Sequence, residues 1–385
     1  MYRTVNLTTI DHYFSGENYI PLTFALWFDG ILDAGKLQAS LDENLKHYFP
    51  LHSELLERDS SRLCFREIEN SIKIKVQTID DPEIDSSLGF KLLNYCAEAT
   101  NNLAEKRLAT FNIIHHGAIS ILVISISHAV SDAVGLFKFV ADWVALYAGL
   151  TPEPPSHERD LVQAILSDLP MNPRELETKR ASFQEKKVVS TSKILGIHEI
   201  RFTKEEIDKD RPEDINALSV IAARLLKFRF ADKKTETPIK LVIPVDLRRL
   251  LKDFPKNYFG NAIIPNHIEF ETSVVLNSDV LHLARIIQTK GLSMNLAEFG
   301  QKYHSGDFLR KIKGYKALQN ITVSSEDTLL LTDLRSAPYQ KFNFDKINCT
   351  RMTILSRYRN TTRLFMEGNQ YIIQQIDRNK DANEI

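Results

Sequence analysis

The sequence predicts a two-domain protein of the α/β or α+β class, and three observations lead to this prediction. The chain has 385 residues, which is too long for one typical domain and suits two. Segments with strand-like and helix-like patterns alternate in both halves of the chain. Between the halves, the composition becomes proline-rich and then highly charged.

The first half opens with a strand and a helix. The apolar segment 19–32 predicts a strand that ends in a turn. In the helix that follows, Leu37, Leu41 and Leu45 recur at four-residue spacing, which places them on one helix face. Pro50 is then a natural stop signal.

Three further elements complete the first half. Residues 63–79 predict a hairpin, because apolar and polar side chains alternate in the second part of this stretch. Residues 119–127 are apolar on both alternating sets, which is typical of a central strand buried on both faces. Ser131 is a candidate cap for the amphipathic helix predicted from about Ala133 to Tyr147.

The change of composition predicts the domain boundaries. We expect an N-terminal domain over residues 1–170, a crossover loop over 171–195 and a C-terminal domain over 196–385.

The second half alternates in the same way as the first. A strand is expected near 196–202, a helix at 213–229 and a strand at 239–245. Turn residues with strands follow at 253–270, and a helix is expected over roughly 275–290.

Composition excludes several classes of function. Hydrophobic residues make up 43% and charged residues 26%, so a sizeable core is possible and disorder is not expected. The formal net charge of −1 gives no reason to expect nucleic-acid or anionic-membrane binding. No phosphate-binding GxxxxGK[ST] or GxGxxG pattern supports an ATP or dinucleotide site.

Cysteines and termini indicate a cytoplasmic protein. Cys64, Cys96 and Cys349 are far apart and odd in number, which favours a reducing compartment over a disulfide framework. No cysteine and histidine spacing is typical of zinc, so no metal is expected. The N-terminus lacks a signal-peptide pattern, and the longest apolar runs are too short to span a bilayer.

His128 and Asp132 are the candidates for chemistry. His128 follows the buried strand and Asp132 opens the next helix, at a type of junction where side chains can face a cleft. A neutral imidazole can accept a proton at cellular pH, so His128 suits a general base. Three interpretations remain open from the residues alone: a catalytic base, a hydrogen-bonded structural histidine, and a metal ligand that lacks a visible third partner.

The segment "HAVSDAVGLFKFVADWVALYAG" resembles the HxxxD segment of the BAHD acyltransferases, which use coenzyme A thioesters. Other segments are similar to motifs of the same family and lie in the same order along the chain. They are "LTTIDHYF" (7–14), "LQASLDENLKHYFPLHSEL" (37–55), "DINALSVIAARLLKF" (214–228) and "IPVDLRRLLKDFPKNYFGNAI" (243–263).

The resemblance implies two chloramphenicol acetyltransferase-like domains, each a mixed β-sheet with flanking helices, joined by a long crossover loop. A channel would run between the domains with His128 at its middle. It implies an acyltransferase of secondary metabolism, a monomer, whose co-substrate is acyl-CoA and whose acceptor is a small-molecule alcohol or amine. No permanently bound cofactor is implied.

The family pattern also implies roles for other residues. Asp132 would turn away from the channel and pair with Arg248, which holds the site together. Asn257, Gly260 and Asn261 of "NYFGN", together with Thr332, would lie near the channel or the coenzyme A arm. Candidate cations for the phosphates of coenzyme A are Arg248, Arg249, Lys252, Lys256, Lys186 and Lys187.

Two alternatives stay open at this point. A condensation-type enzyme would take its acyl group from a carrier protein, but Ser127 and Ala133 stand where such enzymes have a second histidine and a glycine. A non-catalytic binding protein is suggested by the family's "DFGWG" segment, which here reads Asn343, Phe344 and Asp345 with both glycines and the tryptophan lost.

Overall fold

The computed structural model describes residues 2–15, 21–69, 71–80, 107–171, 194–209, 211–291, 296–319, 326–355 and 361–378. Most of the expected crossover loop, the candidate cations Lys186 and Lys187, and Cys96 lie outside these described residues. The domain division at 171–195 therefore stays a prediction.

The β-strands carry most of the architecture. In chain order they are β1 (Thr4–Asn6), β2 (Leu22–Phe28), β3 (Ser53–Asp59), β4 (Arg62–Glu67), β5 (Ile74–Thr78), β6 (Ala109–His116), β7 (Ile119–Ile126), β8 (Ile194–Thr203), β9 (Ile239–Asp246), β10 (Ile263–Phe270), β11 (Thr328–Asp333), β12 (Cys349–Leu355), β13 (Thr361–Glu367) and β14 (Gln370–Arg378).

The α-helices of the described residues lie between these strands. They are α1 (Thr9–Tyr13), α2 (Ala34–His47), α3 (Ala133–Tyr147), α4 (Arg159–Ser167), α5 (Lys204–Asp208), α6 (Ala217–Phe230), α7 (Leu247–Leu250), α8 (Thr272–Asn277), α9 (Val280–Gly291), α10 (Leu296–Lys313) and α11 (Lys316–Gln319).

The first large sheet has the strand order β12-β2-β7-β6-β5. Strand β7 lies at its centre and is buried almost throughout, so the prediction of a central strand at 119–127 is confirmed. Helices α2 and α3 pack against each other, and their apolar side chains share one core with those of β2, β6 and β7. The leucine stripe of α2 (Leu37, Leu41 and Leu45) is buried in this core, as its spacing predicts.

The second large sheet has the order β10-β9-β11-β13-β14-β8. Helices α6 and α9 pack against each other, and their apolar side chains form a separate core with this sheet. One strand crosses between the two halves, because β12 comes from the last part of the chain and pairs antiparallel with β2.

The hairpin expected over residues 63–79 is wrong. Strand β4 pairs antiparallel with β3 and β1 in a small sheet of three strands, whereas β5 pairs parallel with β6 at the edge of the first large sheet. The alternation of side chains was a correct signal for a strand. Alternation shows which face a side chain takes, but it does not show which strand will be the hydrogen-bonded partner.

The single helix expected at 275–290 is two helices, α8 and α9. The break lies at Ser278 and Asp279, where an Asp279 carboxylate oxygen accepts a hydrogen bond from the backbone N–H of His282 at 2.7 Å. An aspartate of this kind satisfies an N–H group that a helix start leaves without an intrahelical partner, so it begins a new helix within an apolar stretch.

Candidate active site

His128 lies in the turn between the end of β7 and the start of α3. The backbone on both sides of it is fixed by hydrogen bonds, from Ser127 N–H to the Leu108 carbonyl at 2.7 Å and from Val130 N–H to the Ser127 carbonyl at 2.9 Å. Its imidazole is half-buried, so water reaches it although protein packs around it. A reactive group in such a position is held rigidly and remains accessible.

The imidazole of His128 contacts the side-chain amide of Asn261. The distance from His128 Nδ1 to Asn261 Oδ1 is 3.1 Å. The Asn261 Nδ2 group donates to Asp11 Oδ1 at 2.9 Å and to the His128 carbonyl at 2.8 Å, so the amide oxygen is the end that faces the imidazole. An oxygen acceptor at Nδ1 requires hydrogen there, which leaves the lone pair of a neutral imidazole on Nε2.

An aromatic ring packs against one face of the His128 imidazole. The ring of Phe14, at the end of α1, stacks on the ring of His128 with centroids 4.0 Å apart and planes 6° from parallel. This contact restricts the plane that the imidazole can adopt. No sequence pattern predicts this contact, because the two residues are distant along the chain.

The environment keeps His128 neutral. Burial lowers the pKa of its imidazole below the ordinary value of 6.5, because desolvation disfavours the charged form. The carboxylates of Asp132 and Asp11 oppose this lowering, but burial has the larger effect. A neutral imidazole with Nε2 unprotonated is the form that accepts a proton.

Asp132 is the N-cap of α3, so the expectation that Ser131 caps this helix is wrong. One carboxylate oxygen of Asp132 accepts from Gly135 N–H at 3.0 Å, and the other accepts from Ala262 N–H at 2.8 Å. Both oxygens also accept from Arg248. The side chain of Ser131 instead donates weakly to the Gly260 carbonyl at 3.5 Å.

Arg248 contributes the other half of a buried ion pair. Its Nη1 and Nη2 atoms lie 3.0 and 3.1 Å from the two oxygens of Asp132. The guanidinium also donates to Asp246 Oδ1 and to the carbonyls of Tyr258 and Gly260. Every guanidinium nitrogen therefore has a partner, and the pair implied by the sequence motif is present in the structure.

The "NYFGN" residues divide between the site and the surface. Gly260 and Asn261 lie against the His128 turn, and Asn261 is fully buried there. A side chain at Gly260 would begin 2.4 Å from the ring of Tyr258, so only glycine fits. Asn257 instead donates to the Pro154 carbonyl at 3.1 Å, away from His128.

Thr332 belongs to the second large sheet. It is half-buried in β11, directly opposite Arg363 of the neighbouring strand β13. Arg363 is itself almost fully buried.

The candidate cations differ in how free they are to contact a phosphate. Arg248 is buried and its donors are occupied, so its candidacy for phosphate binding is wrong. Lys256 donates to the Arg248 carbonyl, and Arg249 donates to Ser336 Oγ at 3.0 Å while its side chain remains exposed. Lys252 is exposed.

Two charged residues at the site were missed by the sequence analysis. Asp11 and Arg159 form an ion pair at 3.1 Å in which neither side chain is exposed. Arg159 Nη2 also donates to the Val130 carbonyl at 2.8 Å, next to the His128 turn. Asp11 lies within the "LTTIDHYF" segment. Its partners Arg159 and Asn261 are far away in the sequence, so no motif spacing could identify them.

The altered "DFGWG" segment is well packed. Phe344 is fully buried, and its ring contacts the rings of Trp143 and Tyr147. Asp345 has φ of 56°, a conformation that glycine adopts most easily, and accepts a hydrogen bond from the Tyr147 hydroxyl. Asn343 begins this turn. Asp345 therefore takes, at the position of the lost glycine, a backbone conformation that glycine favours.

The described part of the chain contains no cluster of His, Cys, Asp and Glu suited to a metal ion. Among the same described residues, no helix is long and apolar enough to cross a membrane.

The protein family described as "Transferase family" matches residues 93–346 of the chain. This range is more than half of the chain. No curated protein sequence matches.

Solved structures match over nearly the whole chain. TRI101 of F. graminearum complexed with coenzyme A and deoxynivalenol superposes with a TM-score of 0.70 at 12% identity, covering 99% of this chain and 96% of that one. Vinorine synthase gives 0.70 at 14% identity, with 97% and 89% coverage. Polyketide synthase associated protein 5 from Mycobacterium tuberculosis gives 0.64 at 15%, with 99% and 94%. At such identities these matches show a shared fold.

Proposed function

Because the chain belongs to the transferase family of BAHD acyltransferases and is an acyltransferase, we propose that it transfers an acyl group from coenzyme A to a small-molecule hydroxyl or amine, with His128 as the general base. The observation that carries this proposal is the contact between His128 Nδ1 and Asn261 Oδ1 at 3.1 Å. It assigns the hydrogen to Nδ1 and leaves Nε2 able to accept a proton.

The reaction follows from that geometry. Nε2 of His128 removes the proton from the acceptor O–H or N–H as the acceptor atom attacks the thioester carbonyl carbon. The tetrahedral intermediate carries an oxyanion, which requires nearby hydrogen-bond donors. When the C–S bond breaks, the imidazolium returns the proton to the departing thiolate, so coenzyme A leaves as a thiol.

Asp132 and Arg248 support this step without taking part in it. The Asp132 carboxylate accepts hydrogen bonds from Arg248 and from the backbone N–H groups of Gly135 and Ala262, whereas the imidazole of His128 contacts Asn261. Their pairing joins the start of α3 to α7, which follows β9 of the second sheet. We assign this pair the role of keeping the His128 turn in register with the second half of the chain.

Coenzyme A and an acceptor alcohol are suggested by the neighbours. The TRI101 structure contains both coenzyme A and deoxynivalenol, and its fold matches over 99% of this chain. We propose that Thr332 lines the equivalent channel here, that the buried Gly260 and Asn261 lie behind its wall, and that exposed cations such as Arg249 and Lys252 contact the phosphates.

The sequence also motivates a location and an assembly state. We propose a monomer of the cytoplasm that acts in secondary metabolism, with one domain before and one after a crossover at 171–195. The buried, unbridged thiols of Cys64 and Cys349 support a reducing compartment.

The test is thiol release from a panel of acyl-CoA thioesters, each mixed with alcohols and amines. Wild type is compared with His128→Ala and with His282→Ala, whose imidazole is exposed on α9 and serves as a matched control. Loss of a positioned base should lower acceptor-dependent release by about 10²–10⁴-fold in His128→Ala. His282→Ala should retain the wild-type rate.

Other outcomes would point elsewhere. If thioesters on a carrier protein react and acyl-CoA does not, the condensation-type alternative replaces this proposal. If no donor reacts and coenzyme A does not stabilise the folded wild type, the protein is a binding descendant of the fold.

A further inference from the structure

We propose that the short helix α1 positions the catalytic histidine, with Asp11 setting its tautomer through Asn261 and Phe14 fixing its ring plane. This inference rests on the proposed role of His128 as the base. Neither residue needs to touch a substrate, so both are positioning residues. The structure brings them together although Asp11 and Asn261 are 250 positions apart.

Asp11 is itself held firmly. It is fully buried, and one carboxylate oxygen accepts from the backbone N–H of Thr8 at 3.0 Å and from Arg159 Nε at 3.1 Å. The other oxygen accepts from Asn261, through its backbone N–H at 3.3 Å and its side-chain Nδ2 at 2.9 Å. The carboxylate therefore cannot rotate without breaking an ion pair and several hydrogen bonds.

This arrangement fixes which end of the Asn261 amide faces His128. A carboxylate accepts hydrogen bonds and cannot donate them, so it selects the NH₂ end of the amide. A hydrogen bond to a charged acceptor is roughly twice as strong as one between neutral groups. The NH₂ group is held by Asp11 and also donates to the His128 carbonyl at 2.8 Å, so the amide oxygen must face Nδ1 of His128. The reverse amide orientation would instead favour hydrogen on Nε2, and Nε2 could then no longer accept a proton.

Phe14 controls the plane of the imidazole, which changes when the ring rotates about the Cβ–Cγ bond of His128. The rings of Phe14 and His128 are stacked, with a spacing of 4.0 Å and an angle of 6°. Rotation of the imidazole would break this contact and also move Nδ1 away from Asn261. Phe14 directly follows α1, so one element controls both the tautomer and the plane.

The test combines a tautomer measurement with kinetics. Histidine labelled with ¹⁵N reports by NMR which ring nitrogen of His128 carries hydrogen, and the His128→Ala spectrum assigns the signal. The variants are Phe14→Leu, which removes the stacked ring, and Phe14→Tyr, which restores it. A third is the double variant Asp11→Asn with Arg159→Gln, which leaves no buried charge unpaired.

Wild type and Phe14→Tyr should show hydrogen on Nδ1 only. Phe14→Leu and the double variant should show mixed tautomers and a kcat lower by roughly ten- to a hundredfold, as expected for a misplaced catalytic group, with KM little changed. Retention of one Nδ1–H tautomer and of wild-type kcat in both would overturn the proposal. The NMR readout needs no substrate, so an inactive wild type with the expected tautomer pattern would refute the acyl-transfer proposal and leave the positioning role standing.

Discussion

The carboxylate of Asp132 and the guanidinium of Arg248 form a two-point ion pair, at 3.0 and 3.1 Å, between residues 116 positions apart in the chain. Neither side chain is more than 4% exposed. The pair lies directly behind the His128 turn. Arg248 and Ser131 both donate hydrogen bonds to the Gly260 carbonyl, which links the pair to this turn. A buried pair of this kind has consequences for stability that an exposed pair lacks.

Replacing Asp132 by Ala should lower the free energy of unfolding by about 3–5 kcal/mol, because it leaves a buried guanidinium without its counter-charge and removes a helix cap. Glu43→Ala is the matched control, since it breaks an exposed ion pair with Lys46 and should cost less than about 1 kcal/mol. Urea unfolding of the three proteins measures both effects. Equal losses in the two variants would show that the Asp132 pair contributes no more than a surface pair.

The rate of acyl transfer should fall at acid pH. Burial lowers the pKa of His128 below 6.5, and protonation of Nε2 removes the base, so kcat/KM should be constant above that pKa and decrease below it. The measurement is a pH profile between about pH 5 and pH 9 with an alcohol acceptor, which does not titrate in this range. An inflection above 6.5 would contradict the assignment of His128 in its present environment.

His12 should make the fold less stable in acid. Burial lowers the pKa of its imidazole to about 4, and both ring nitrogens are used as a neutral ring uses them, with Thr8 and Leu63. Between pH 6.5 and about 4 the unfolded chain binds a proton that the folded chain does not, so stability is lost as pH falls. Over this pH range, His12 should lower the free energy of unfolding by about 3 kcal/mol in total.

Unfolding in urea at several pH values tests this contribution. His12→Asn should show a shallower loss of stability between neutral pH and about pH 4 than wild type. His282→Ala is the control and should keep the wild-type slope, because its imidazole is exposed. Parallel slopes for wild type and His12→Asn would place the acid sensitivity in other groups, such as His157, whose pKa burial also lowers to about 4.

Asp345 offers a test of the altered turn. Its φ of 56° costs a non-glycine residue about 1–2 kcal/mol, while its contacts with Lys36 and Tyr147 are made by an exposed carboxylate and stabilise the fold by less than that. Asp345→Gly should therefore be as stable as wild type or slightly more stable. Asp345→Ala keeps the strain and loses the contacts, so it should be the least stable of the three by thermal unfolding. An alanine variant equal to the glycine variant would mean that the turn carries no such strain.

Much of the architecture was predictable because it depends on local patterns. The two-sided apolar run of β7 and the leucine stripe of α2 each predict burial through a short repeat. The same reasoning failed where the partner of an element matters, as for β4 and β5, and where two residues compete for one role, as for Ser131 and Asp132 at the helix cap.

The family motifs and the candidate base can be recognised without a structure, since His128 and Asp132 are close in the chain and their spacing is set by a strand, a turn and a helix. The surroundings of the imidazole, in contrast, depend on the tertiary fold. Asp11, Phe14 and Asn261 reach His128 from distant segments, and Arg159 then neutralises Asp11. Hydrogen bonds and ring contacts between such segments depend on how whole helices and sheets pack, and no local repeat in the sequence records that packing.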